Sequence, residues 1–140
     1  MSIESAAMAG RPRRLLQSIA AVLAGLVVIF VLSMGTDHIF HVTGVFPPYG
    51  QSMSTGLFLF ALAYRCLFAV IGCFVTAWLA PSAPMRHALI LGAIGVVLST
   101  AGTVAMWDLG ANWYPIALTL SSLPCAWAGG ALHRQWGRPT

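Results

Sequence analysis

Four long apolar stretches constrain the fold of this chain more than any other feature of its sequence. They cover residues 15–34, 57–79, 88–106 and 114–132, and each contains about twenty residues. A helix rises about 1.5 Å per residue, so about twenty residues cross the roughly 30 Å hydrocarbon core of a bilayer. The sequence therefore predicts an all-α integral membrane protein with four transmembrane helices packed as a bundle.

The scarcity of charge supports the same class of protein. Hydrophobic residues make up 59% of the chain and charged residues only 7%, whereas a soluble domain carries about 25% charged residues. So few polar side chains cannot coat a globule in water, and the lipid bilayer is the expected partner. The basic residues are all arginines, and most flank the apolar stretches. This distribution is typical of topology signals and argues against nucleic-acid binding.

The flanking arginines also orient the predicted helices. If the chain crosses the membrane four times, six arginines fall on one side, and the connections 37–56 and 107–113 on the other side contain none. The six are Arg11, Arg13, Arg14, Arg86, Arg134 and Arg138. Basic residues are enriched in cytoplasmic loops, so both termini are expected in the cytoplasm. The expected location is a bacterial-type inner membrane, crossed several times.

The same pattern predicts the organisation of the chain. Residues 1–14 form a basic cytoplasmic segment, 15–133 a single four-helix membrane domain, and 134–140 a cytoplasmic tail. The first apolar stretch also has features of a signal peptide. However, its apolar core is longer than the 7–15 residues typical of such peptides, and no clear A-x-A cleavage site follows it. A retained first helix is therefore expected.

Arg65 interrupts the second apolar stretch. It lies eight residues after Leu57, which is about 12 Å along a helix. A charged side chain at such a depth costs about 2.5 kcal/mol or more, so Arg65 is expected to point into the bundle. Three interpretations remain open: snorkelling to the interface, a structural ion pair with Asp37 or Asp108, and a functional site for an anionic group or an ion path.

Asp37, His38 and His41 follow the first stretch. If the helix continues for one more turn, Asp37 and His41 share a face and His38 lies beside them. Two imidazoles and one carboxylate could hold a divalent metal ion, so these residues form a weak candidate metal site. A pH-sensitive or hydrogen-bonded cluster and ordinary interfacial residues are the alternatives.

Small residues recur on the last two stretches at the spacing of a helix face. The third carries Ala88, Gly92, Gly95, Ser99 and Gly102, and the fourth carries Ala117, Ser121, Pro124, Ala128 and Ala131. Small side chains let transmembrane helices approach closely. These stripes predict close packing within the bundle, in a homo-oligomer or in a larger membrane complex, and the sequence does not separate these.

Motifs of common enzymes are absent from the sequence. It has no glycine-rich phosphate loop, GxSxG or HExxH motif, and it contains only three acidic residues. The expected function is therefore ligand binding, or transport or channel activity, and no cofactor signature is present. An enzyme is the least favoured interpretation, since it would have to rely on Arg65, histidines, tyrosines and two aspartates. The expected polar site lies near the outer face around Arg65, with Asp37, Asp108, His38 and His41 as further candidates. The alternative is an accessory or assembly subunit without its own activity.

Overall fold

The computed structural model describes residues 3–48, 51, 53–105, 107–109 and 112–136. That part of the chain is helical, with connecting turns. Its elements are α1 (Ile3–Val42), α2 (Thr55–Leu79), α3 (Pro84–Ala105), a 3₁₀ turn (Trp107–Leu109) and α4 (Trp113–Trp136). Each of the four α-helices is long and apolar enough to cross a membrane. The prediction of an all-helical chain with four such helices is confirmed.

Helix α1 is longer than the apolar stretch that predicts it. It contains 40 residues and is about 60 Å long. The expected connection after the first stretch begins at Asp37, whereas α1 continues to Val42. No proline interrupts this extension, and the ring of Phe40 packs against Phe60 and Tyr64 of α2, with centroids 5.3 and 5.7 Å apart. Asp37 therefore lies on a helix that packs against α2.

The chain turns back on itself directly after α1. Gly44 has a φ of +80°, a left-handed conformation that glycine adopts at little cost. The N–H of Phe46 then donates to the carbonyl of Phe40 at 2.9 Å. The side chain of Phe46 is only 2% exposed, and its ring lies 5.2 Å from that of Phe40. The connection thus folds back onto the helices.

The two ends of the helices differ in charge. We call the end at which α1 and α3 finish the aspartate end, because it holds Asp37 and Asp108. We call the opposite end, with Arg14, Arg86 and Arg134, the arginine end. These names refer to the charged residues at each end and do not state which side of a membrane that end faces.

A close crossing joins α1, α2 and α3 nearer the arginine end. A Cβ added to Gly25 would overlap the side chain of Thr76 and would lie 2.6 Å from the carbonyl oxygen of Gly72. Thr76 is fully buried, and its hydroxyl donates to the carbonyl of Ala21 at 3.0 Å. Only a residue without a side chain fits at this contact, so Gly25 allows the close approach of the backbones.

Helices α3 and α4 also meet through small residues. A Cβ on Gly92 would lie 3.3 Å from the carbonyl oxygen of Ser122, and a Cβ on Gly130 would lie 3.3 Å from the Cβ of Ala88. The first half of the α3 stripe therefore packs against α4 within the chain. On α4, however, these contacts come from a neighbouring face, and Pro124 of the expected stripe is exposed.

The helices leave a gap on one side. Helix α2 packs against the other three, and α1 packs against α2 and α3. Within the described residues, no extensive contact joins α1 to α4.

Candidate ligand site between the four helices

Asp37 of α1 and Arg65 of α2 form an ion pair. The guanidinium Nη2 of Arg65 donates to Oδ2 of Asp37, and the hydroxyl of Tyr64 donates to Oδ1. Both carboxylate oxygens are therefore engaged. The antiparallel packing of α1 on α2 places the three side chains at one level. Of the two aspartates predicted as partners of Arg65, the structure selects Asp37.

The ion pair lies well inside the apolar length of the helices. Arg65 follows Thr55, the first residue of α2, by ten residues, which is about 15 Å along the helix axis. The side chains of Arg65 and Asp37 are 31% and 16% exposed. Removing one partner of such a desolvated pair leaves an uncompensated charge, which is more costly than removing both. The pair therefore couples α1 firmly to α2.

Aromatic residues cover the pair toward the aspartate end. Phe40 lies one turn beyond Asp37 on α1, and Phe60 lies just over one turn before Arg65 on α2. Their rings pack with those of Tyr64 and Phe46 into one cluster, which also contacts Tyr114 of α4. A hydrogen bond of 2.8 Å between Nδ1 of His41 and the carbonyl of Pro47 holds the folded-back connection in place. This aromatic layer separates the pair from the connection.

On another side, Arg65 borders a partly open cavity of about 190 Å³. We call it the helix cavity. All four helices line it, mostly with leucine, isoleucine and other apolar side chains. Its polar and thiol-bearing lining residues are Ser33, Arg65, Cys66, Cys73, Ser99, Ser121 and Ser122. Arg65 belongs to the lining, whereas its partner Asp37 does not.

Several hydrogen-bond donors at the helix cavity are unused. Ser121 and Ser122 each donate to the carbonyl of Leu118 at 2.9 Å. By contrast, the hydroxyls of Ser33 and Ser99 form no hydrogen bond with any described residue. The Nε of Arg65 also finds no acceptor in the described part of the chain, but this atom is buried and has no surface exposed to the cavity. The cavity thus combines apolar walls with two serine hydroxyls that are free to bond a ligand.

The remaining predicted site residues lie elsewhere. Asp108 is exposed on the 3₁₀ turn, and His38 is exposed on α1. His41 bonds the carbonyl of Pro47. Among the described residues, no group of three His, Cys, Asp or Glu side chains is placed to hold a metal ion. Of the five predicted residues, Asp37 and Arg65 are the two that form an ion pair.

Sequence reasoning missed Tyr64 and the cavity hydroxyls. Tyr64 is adjacent to Arg65 in the chain but was not considered as a partner of Asp37. Ser33 precedes Asp37 by four residues, a spacing that places both on one face of α1. Ser99 and Ser121 were noted only as small residues. The four-residue spacing from Asp37 is therefore the feature of the sequence that could have indicated Ser33 as a residue near the ion pair.

Comparisons of the chain with known proteins found no match. No protein-family model, no curated protein and no solved structure matches the chain. The function must therefore be argued from the helix cavity and from the residues that line it.

Proposed function

We propose that this chain is a multi-pass membrane protein that binds a small ligand in the helix cavity, with Arg65 as the main polar contact. The observation that carries this proposal is the position of Arg65, which borders the cavity while its charge is balanced by Asp37. An ion pair that serves stability alone is best enclosed by packed side chains. Ionisable groups at membrane depth commonly mark ligand or ion sites, and ligand sites are mostly apolar cavities with a few polar groups.

In the proposed arrangement the four helices form a bundle in a bacterial inner membrane with both termini in the cytoplasm. The support is the arginine asymmetry, with six arginines on one side and none in the opposite connections. The aspartate end then faces outward. Arg65 then lies at the outer part of the helix cavity, and Cys73 and Leu91 line its inner part.

A transport or channel-like role is an extension of the same proposal. The helix cavity extends from Arg65 to Leu91 and Gly92. Beyond these residues, the close contact of Gly25 with Gly72 and Thr76 closes the path toward the arginine end. A transporter would have to separate α1 from α2 at this crossing, whereas a protein that only binds its ligand would not.

The second candidate is an accessory subunit that docks through small-residue faces. One observation favours it: a Cβ on Gly102 of α3 would meet nothing within 4 Å, so this end of the stripe is open to a partner. Ala88 and Gly92 on the same stripe are already buried against α4. A homo-oligomer or a larger complex would therefore have only a short part of the stripe to use.

A cavity-filling substitution tests the proposed function. Ala69 lines the helix cavity, and Ala69→Leu should place its added carbons there. Ala63 is exposed on the same helix, so Ala63→Leu is the matched control. We expect 4-fluoroacetophenone to bind the wild-type protein and Ala63→Leu equally in nanodiscs, and Ala69→Leu at least tenfold more weakly.

Binding is measured by ¹⁹F relaxation of the probe, with empty nanodiscs as the reference for partition into lipid. Thermal unfolding of each variant checks that the fold is kept. Equal relaxation in the presence of Ala69→Leu and wild-type protein would show that this probe does not occupy the helix cavity. The same result with an anionic and a hydrocarbon probe of similar size would show that the proposed function is wrong.

A further inference from the structure

We propose that the ligand is a small lipophile whose polar group is a neutral hydrogen-bond acceptor, such as the carbonyl of a ketone. This inference rests on the proposed function and names the chemical class of ligand for the same site. It is carried by the charge balance, the orientation of the ion pair and the size of the helix cavity.

The charge balance favours a neutral ligand. Arg65 is already neutralised by Asp37, whose two carboxylate oxygens accept from Arg65 and Tyr64. A bound anion would add an uncompensated negative charge to an apolar cavity, where isolated charges are strongly unfavourable. It would also compete with Asp37 for the guanidinium. A neutral acceptor leaves the ion pair intact and costs no net charge.

The orientation of the ion pair favours an acceptor rather than a donor. Arg65 lines the helix cavity, and Asp37 does not. A guanidinium has five N–H donors and no acceptor. The hydroxyls of Ser33 and Ser99, which have no hydrogen-bond partner among the described residues, add two further donors from α1 and α3. No acidic side chain lines the cavity among the described residues, so cations find no counter-charge in it.

The size and the walls of the helix cavity favour a compact lipophile. An apolar cavity of about 150 Å³ holds a benzene molecule, so the volume of about 190 Å³ holds roughly eight non-hydrogen atoms. The cavity is partly open, and α1 makes no extensive contact with α4 in the described residues. A ligand of about ten non-hydrogen atoms is therefore accommodated by extending between these helices toward lipid. Only the polar group of such a ligand has to fit beside Arg65.

Three probes of one shape test this inference. They are 4-fluoroacetophenone (a neutral acceptor), 4-fluorobenzoate (an anion) and 1-fluoro-4-isopropylbenzene (no acceptor). Their affinities for the wild-type protein in nanodiscs are measured by ¹⁹F relaxation and corrected for partition into empty nanodiscs. We expect the ketone to bind at least fivefold more tightly than either of the other two.

Variants then assign the preference to the named donors. Arg65→Met should remove the advantage of the ketone over the hydrocarbon. Because this variant could fail to fold, the double variant Ser33→Ala/Ser99→Ala provides an independent test, and we expect it to bind the ketone about fivefold more weakly. Ser121→Ala is the matched control, since its hydroxyl already donates to Leu118, and it should bind the ketone as the wild type does.

The outcomes separate this inference from the proposed function. Tighter binding of the benzoate, or equal binding of the hydrocarbon and the ketone, would overturn the neutral-acceptor class while leaving the helix cavity as a ligand site. Unchanged ketone affinity in the double serine variant would also overturn it. If none of the three probes binds the wild-type protein, the proposed function itself fails.

Discussion

At the scale of single residues, Arg65 depends on Asp37 for its place in the apolar part of the protein. The pair can be tested in thermal unfolding of the purified protein in detergent. We expect Arg65→Leu and Asp37→Asn each to destabilise the protein by about 2–4 kcal/mol, because each leaves one charge without its partner. The double variant Arg65→Leu/Asp37→Asn should recover much of that loss.

Asp108 provides the control for this cycle. It is exposed on the 3₁₀ turn, so Asp108→Asn should change the midpoint of unfolding little, alone or combined with Arg65→Leu. Additive losses in the Arg65/Asp37 double variant would contradict the energetic coupling inferred from the ion pair.

The sequence narrows the partner of Arg65 to two aspartates but cannot choose between them. The choice depends on the length of α1, since only a helix that continues past Met34 brings Asp37 level with Arg65. That extension is stabilised by tertiary contacts of Phe40 with α2, which no local pattern reveals. The serine hydroxyls at the helix cavity are even harder to predict from the sequence than the partner of Arg65, because serines are common in membrane helices and carry no charge.

At the scale of helices, the crossing of α1 with α2 depends on a missing side chain. A methyl group on Gly25 would overlap Thr76 and approach the backbone of Gly72. Overpacking of this kind typically costs about 1–3 kcal/mol. We therefore expect Gly25→Ala to lower the midpoint of thermal unfolding in detergent. Gly25→Leu, with its larger side chain, should lower the midpoint further.

Gly35 is the matched control on the same helix. It is exposed, and a Cβ there would meet nothing within 4 Å. Gly35→Ala should leave the midpoint unchanged or raise it slightly, because alanine favours the helix over glycine. Equal effects of alanine at both positions would mean that helix propensity, rather than the close crossing, governs this part of α1.

The packing of α3 on α4 shows where sequence patterns stop being informative. On α3, Ala93 is the one small residue outside the stripe between Ala88 and Gly95, so a single face stands out over this length. On α4, small residues occur at adjacent positions, as in Ser121 and Ser122 or Gly129 and Gly130. Two neighbouring faces then fit the same spacing, and the structure uses the one that includes Ser122 and Gly130. Only the packing partner decides between such faces.

At the scale of the whole molecule, the number and type of helices are predictable because they depend on local properties. An apolar stretch of about twenty residues needs a helix to satisfy its backbone groups in lipid, whatever its neighbours are. The helix cavity is not predictable in this way, since it arises where two helices do not meet. Its existence depends on the relative placement of α1 and α4, which no single stretch encodes.

The proposed orientation in the membrane follows from the arginine asymmetry and can be tested directly. Val45, in the connection after α1, and Ser82, between α2 and α3, are both exposed and lie outside the helices. In a background with Cys66, Cys73 and Cys125 replaced by alanine, we expect Val45→Cys in intact bacterial cells to react with a membrane-impermeant maleimide. Ser82→Cys should react only after the cells are opened, because Arg86 and the other flanking arginines hold that side in the cytoplasm. The cysteine-free protein measures background labelling. Labelling of Ser82→Cys but not Val45→Cys in intact cells would reverse the orientation and place Arg65 at the inner part of the helix cavity. Equal labelling of both would contradict a crossing of the membrane by α2 in one fixed orientation.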